Sequence, residues 1–185
     1  MRYVRLTIIL FLFACSVGIG SYVKSAGADT AAEINRKAKS TLALLYEKSP
    51  AAKALGEEAV GILIFPSVVK GGFILGGQYG EGVLLEDGVA AGYYNTVQVS
   101  YGLQAGGQKY GYVLFFMSDS AMGWLDKTGG WEFGAGPSIV VVDIGAAKAL
   151  TTTTAHSQVY AFFLDQKGLM AGIGLQGTKV TKVKK

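Results

Sequence analysis

The sequence holds one cysteine, Cys15, one histidine, His156, and 3 prolines in 185 residues. A lone histidine with no cysteine after residue 15 cannot assemble an ordinary zinc site, which takes several Cys, His or carboxylate ligands. One thiol also rules out a disulfide framework within the chain. Charged residues make up only 16 %, whereas hydrophobic ones reach 50 %. That balance, with so little proline, excludes a disordered chain. The formal net charge of +4 is unevenly spread. Residues 1–28 contain Arg2, Arg5 and Lys24 and no acid, and Lys179, Lys182, Lys184 and Lys185 lie in the last seven positions. Between Asp29 and Thr178, 10 basic residues stand against 13 acidic ones. A nucleic-acid binder needs a basic face, so no nucleic acid is expected as partner.

Catalytic signatures are missing as well. Ser157, Asp143 and Asp165 lie near His156 in sequence, but no G-x-S-x-G elbow presents a nucleophile. Glu57-Glu58 and Glu86-Asp87 fall at a helix end and a turn, and nothing in the sequence suggests carboxylates opposed across a cleft, as acid–base work requires. Gly172 to Gly177 spells G-x-G-x-x-G. A dinucleotide site needs a helix directly after those glycines; Thr178-Lys179-Val180 follows instead, and the glycine run is expected to be a Gly-rich strand. No enzyme activity, cofactor or metal is expected.

What the chain has in abundance is glycine, 27 residues, set among apolar and β-branched ones. The organising stretch is Val60 to Leu85, with six glycines between Gly71 and Gly82. Val, Ile and Phe suit a pleated surface, and strand glycines mark bends or close backbone approach. One bare face and a curved, tightly packed β core are expected, with Phe65-Pro66 interrupting the first strand.

The N-terminus reads as an export signal. Met1 to Arg5 is basic, Leu6 to Ala14 is apolar apart from Thr7, and Ala26-Gly27-Ala28 supplies small residues for cleavage after Ala28. The run is short for a membrane span of about 20 residues. Leu12-Phe13-Ala14-Cys15 resembles a lipobox, so lipidation at Cys15 is the alternative route. The expected organisation is a signal peptide over 1–28 and a single domain over 29–185, helical over 30–59 and β-rich over 60–183.

Thr30 and Glu33 form a capping-box pattern. Ile34, Ala38, Leu42 and Leu45 make one apolar stripe, predicting a helix from about Ala31 to Glu47 that packs on the core. Ser49-Pro50 restarts a helix through Glu58. Strands are expected over Gly61–Phe65, onward from Val68 into a hairpin with Asp87-Gly88 at its turn, and over Ala91–Ser100, Tyr101–Gln108 and Tyr112–Met117, the last central. Ser118 to Asp126 predicts a short helix. Trp131–Gly136 and Ser138–Ile144 read as strands joined at Pro137, which marks an edge or bulge. Thr151–Thr154 is a polar β-branched run, with His156 at a strand edge. Val159–Leu164 and Leu169–Leu175 read as strands around a turn at Gln166-Lys167-Gly168. The fold class is α+β, with N-terminal amphipathic helices packed on a Gly-rich, strongly curved, mainly antiparallel sheet or a closed barrel-like core.

Several of these pieces occur together in one known family. Ala59 to Pro66, Lys70-Gly71-Gly72-Phe73 with Gly76-Gly77, the paired glycines from Gly102 to Gly111, and Gln166 to Gly177 resemble, in order, the SYLF domain. This is the lipid-binding domain of yeast Ysc84-type and SH3YL1-type proteins, also found in exported bacterial proteins. The resemblance covers about Ala51 to Lys182. It implies acidic-phospholipid binding, phosphatidylinositol lipids in eukaryotic members, actin binding in the yeast ones, and no catalysis. An exported bacterial protein does not meet actin in its own compartment, so actin is not expected here.

The expected function is therefore non-catalytic phospholipid binding at the bacterial envelope, in a periplasmic or envelope-associated protein that Cys15 could anchor. The basic side of the first helix, Arg36, Lys37 and Lys39, is expected to meet anionic headgroups, with Lys70, Lys179 and Lys182 adding to it. Each such cation near an anionic surface contributes about 1 kcal/mol. Two rivals remain open: a small outer-membrane β-barrel, and a partner-binding envelope module without lipid.

Overall fold

The computed structural model describes residues 28–72, 75–101, 106–142, 144, 157–168, 175 and 177–185. The expected signal peptide, Cys15, the Thr151–Thr154 run, His156 and most of the Leu169–Leu175 arm lie outside the described residues. Helix α1 spans Ala31–Lys48 and α2 spans Pro50–Glu58. Thr30 caps α1 reciprocally: Glu33 N–H donates to Thr30 Oγ1, and Thr30 N–H donates to Glu33 Oε2. The bonds that the Thr30 N–H and hydroxyl donate to Glu33 Oε2 hold that carboxyl below its ordinary pKa. Ser49 caps α2 through its hydroxyl, with Pro50 at the first helical position.

Four long strands follow: β1 Gly61–Gly72, β2 Leu75–Glu86, β3 Val89–Tyr101 and β4 Gly106–Phe116. Next come the short helix α3 Asp119–Met122, a 3-10 turn Gly123–Asp126, β5 Trp131–Glu132, β6 Ile139–Val142, β7 Val159–Gly168 and β8 Lys179–Val183. They form one eight-stranded sheet in the order β5-β8-β3-β2-β1-β4-β7-β6. Every pairing is antiparallel except β6 with β7. The sheet curls strongly into a half-barrel. One hydrogen bond measures the curl. Tyr112 Oη on β4 donates to Thr96 Oγ1 on β3 at 2.7 Å, although β2 and β1 stand between those strands. A flat sheet would hold them about 14 Å apart.

The sheet is buried on both faces over half its length. Leu63, Phe65, Val68, Tyr112, Leu114 and Phe116 pack on the concave side with Trp131 and Phe133. On the convex side Ile64, Val83, Val113, Phe115 and Phe162 pack under Ile34, Ala38, Leu45 and Leu55 of the helices. That two-sided burial is why Val113–Met117 and Val159–Leu164 lack the alternation of a half-wet strand. It also gives the stripe of α1 its partner.

Five details differ from the sequence reading. The strands expected at Tyr101–Gln108 and Tyr112–Met117 are not separate, since β4 runs unbroken over Gly106–Phe116. Phe65-Pro66 does not interrupt β1; it makes a bulge, with a register shift against both neighbours. The extra residue lets Phe65 and Val68, three apart, both face the concave core. The bareness of glycine is split between faces. Counting alternate positions along each strand, Gly72, Gly76, Gly80 and Gly82 are concave, and Gly71 and Gly77 convex. A Cβ at Gly80 would lie 2.7 Å from Val68 Cγ2, and one at Gly82 2.7 Å from the Phe65 ring. These glycines admit the bulge and the curl. Gln166-Lys167-Gly168 is no turn but the end of β7, paired with β4 through Lys109 and Gln108. The strands expected at Trp131–Gly136 and Ser138–Ile144 shorten to β5 and β6, which lie at the two sheet edges. Pro137 precedes β6, as an edge position permits. Asp87 (φ 49°) and Gly88 (φ 77°) make the predicted hairpin turn.

Candidate functional site

A groove of about 430 Å³ opens between α1 and the β1 bulge. Arg36, Lys37, Ser40 and Thr41 line it from the helix, Ser67 and Lys109 from the sheet. The spacing follows from helix geometry. With Ile34 and Ala38 turned to the core, positions 36, 37, 40 and 41 fall along one flank at 100° per residue. That flank faces β1 and β4. Lys39 lies about 130° from it around the helix axis, exposed and away from the groove. Lys109 is on β4, paired with Val69 of β1.

Charge in the groove is only partly compensated. Lys37 Nζ donates to Asp29 Oδ2 at 2.6 Å, a half-exposed pair. Among the described residues, neither Arg36 nor Lys109 forms a salt bridge, although Arg36 lies near enough to Glu33 to help lower its pKa. Three cations and three hydroxyl-bearing side chains around an open groove suit an oxyanion such as a phosphate.

The other expected site residues are placed elsewhere. Lys70 is buried, 8 % exposed. It pairs with Gln78 and Gln108 and shares the concave side with Val68, so it turns away from the groove. Beside it Tyr110 Oη donates to Gln78 Oε1 at 2.5 Å, and Gln78 Nε2 donates to Thr178 Oγ1 at 3.3 Å. Burial pushes the Tyr110 hydroxyl up to about 12 and raises that of Tyr112 further. Lys182 is exposed, donates to Asp126 Oδ1 at 3.0 Å and stands 6.0 Å from the Tyr94 ring centroid. Its pKa is raised, chiefly by that bond to Asp126. Lys179 is exposed on β8, opposite Val97 of β3. The structure thus brings together Arg36 and Lys37 and adds Lys109, which lies some seventy residues away in sequence. Its position on the convex side, two residues before the small Gly111, was the available signal.

Residues 97–185 match the family model Ysc84, described as the Las17-binding protein actin regulator. Residues 97–185, a little under half of the chain, are thus similar to the Ysc84 (SYLF) family that the sequence resembles. No curated protein matches the chain. The Ysc84 segment supplies β4 to β8 and the end of β3, and with them Lys109, Lys179 and Lys182. Arg36, Lys37, Lys39 and Lys70 lie upstream of it. The sheet order shows that the matched half cannot close on itself. β3 and β4 do not pair; β2 and β1, from residues 61–86, sit between them. The groove likewise needs α1 on one wall and β4 of the Ysc84 segment on the other.

Proposed function

We propose that the protein is a non-catalytic, exported phospholipid-binding protein of the bacterial envelope, and that anionic headgroups dock in the groove between α1 and the bulge. One observation carries this reading: Arg36, Lys37 and Lys109 converge from two elements, on a body whose acids outnumber its bases between residues 29 and 178. The Ysc84 family is linked in general to lipid and actin binding. The expected export signal favours the lipid over actin. Three cations at about 1 kcal/mol each support weak, reversible docking that salt weakens. A membrane barrel fits less well, because α1 and α2 cover part of the convex face that a barrel would turn to lipid. Flotation of the full chain on vesicles of phosphatidylglycerol or cardiolipin tests the proposal. Binding that survives replacement of Arg36, Lys37 and Lys109 by Glu refutes it.

A further inference from the structure

The convex face is covered by helices at one end only. At the other, one register row crosses six strands: Lys179 on β8, Val97 on β3, Tyr79 on β2, Val69 on β1, Lys109 on β4 and Lys167 on β7. Paired residues share a face of the sheet, and at about 4.8 Å per strand the row is about 24 Å long. Its middle is apolar and open to solvent: Val69 is 58 % exposed, Tyr79 50 % and Val97 38 %. Val99, 63 % exposed, extends the patch. Lysines at positions 179 and 109 flank it, both exposed. Four of the seven large apolar residues exposed among the described ones thus fall in one place, so the exposure is not scattered chance.

A second observation concerns glycine. Next to this row, Val99 pairs with Gly77, Gly77 with Gly71, and Gly71 with Gly107. Among the described residues, a Cβ at Gly77 or Gly107 would meet nothing closer than 3.7 Å and 3.9 Å. Packing does not demand glycine at either place, although glycine inside a strand costs stability. Bareness there keeps the patch flat.

We infer that this face is the part of the protein that enters the bilayer interface: Val69, Tyr79, Val97 and Val99 dip among the acyl-chain ends while Lys109, Lys179 and the adjoining Arg36 hold anionic headgroups. The inference rests on the proposed lipid function and deepens it by assigning the contact to the sheet. The apolar stripe of α1 has no share in it, being spent on the core. Charge selects the occupant. A second copy laid face to face would set the flanking lysines against like charge, whereas an anionic lipid surface complements them. The patch lies in mid-sheet, so strand addition at an edge does not explain it either.

The test compares two variants of the full chain by flotation on phosphatidylglycerol vesicles, with circular dichroism and thermal melting as controls for folding. Replacing Val69, Val97 and Val99 by Ser removes three apolar side chains from the contact and is expected to weaken partitioning at least about tenfold. If wild type floats, Arg36→Glu with Lys109→Glu abolishes flotation, and the triple Ser variant floats unchanged, the sheet face is refuted while headgroup docking stands. If wild type does not float at all, the lipid reading itself fails. An environment-sensitive fluorophore on Val99→Cys, in a Cys15→Ser background, gives a readout independent of the Ser variants' folding. It is expected to shift to the blue and resist aqueous quenchers on vesicles. An unshifted, fully quenched probe, or a dimer in sedimentation that the Ser substitutions dissolve, overturns the inference.

Discussion

Two glycines five residues apart on β2 are predicted to respond oppositely to the same methyl group. At Gly82 an added Cβ points at the Ile64 carbonyl and lies 2.7 Å and 2.9 Å from two atoms of the Phe65 ring. Neither neighbour can yield. Ile64 and Phe65 are fully buried, and the ring packs on Tyr112 with centroids 4.8 Å apart. Overpacking of this kind costs about 1–3 kcal/mol, and the involvement of backbone places Gly82→Ala at the upper end. At Gly77 the nearest atom is Gln98 O at 3.7 Å, an ordinary contact. There Gly77→Ala should gain about 0.5–1 kcal/mol, since alanine has less backbone freedom to lose on folding. The two variants should differ by about 3.5–4 kcal/mol, or roughly 10 °C in melting temperature for a domain of this size. Urea or thermal unfolding of both, beside wild type, measures it. Equal stabilities would show that the glycines of β2 are interchangeable, and would refute the division between glycines that admit the bulge and glycines that flatten the surface.

Other expectations follow from the same geometry. Arg36→Glu should weaken vesicle binding far more than Lys39→Glu, though each changes the charge by the same amount; equal losses would mean that only net charge matters. Glu81 accepts bonds from Asp29 N–H at 2.9 Å, Tyr79 Oη at 3.0 Å and Lys185 Nζ at 2.7 Å. Its side chain and that of Lys185 are each about a tenth exposed. Glu81→Ala should therefore cost about 2 kcal/mol and loosen the entry to α1; a urea midpoint within error of wild type would contradict this. Burial raises the tyrosine hydroxyls at 110 and 112 above the value near 10 of an unfolded chain. The folded state then holds more protons between pH 10 and about 12, so stability should fall as pH rises through that window. Unfolding midpoints that stay level from pH 9 to 11.5 would exclude it.

Much of the fold could be read from local patterns. Thr30 with Glu33, Ser49 with Pro50, and Asp87-Gly88 each act within four residues, and each makes the cap or turn its chemistry predicts. The stripe Ile34, Ala38, Leu42, Leu45 declared the packed face of α1 because helical period is local too. What depends on pairing was hidden. Proline at 66 suggested an interrupted strand; only the partners on both sides show a bulge that keeps the strand going. Lys70 looked like one more surface cation, and only the burial of Gln78 and Gln108 opposite it puts it inside. Lys109 and the row through Tyr79 became visible once β1 was set between β2 and β4. Val69, Tyr79, Val97 and Lys179 are far apart in the chain, and no periodicity links them.

The central claim is that the open sheet face, rather than the helix stripe, meets the membrane. Hydroxyl-radical footprinting of the full chain, with and without phosphatidylglycerol vesicles, tests it directly. Tyr79 and Val97 should become protected from oxidation on vesicles, with Val140 and Val141 at the far edge unchanged. Protection confined to α1 or to that edge, or a Tyr79 oxidised equally in both samples, would contradict the account.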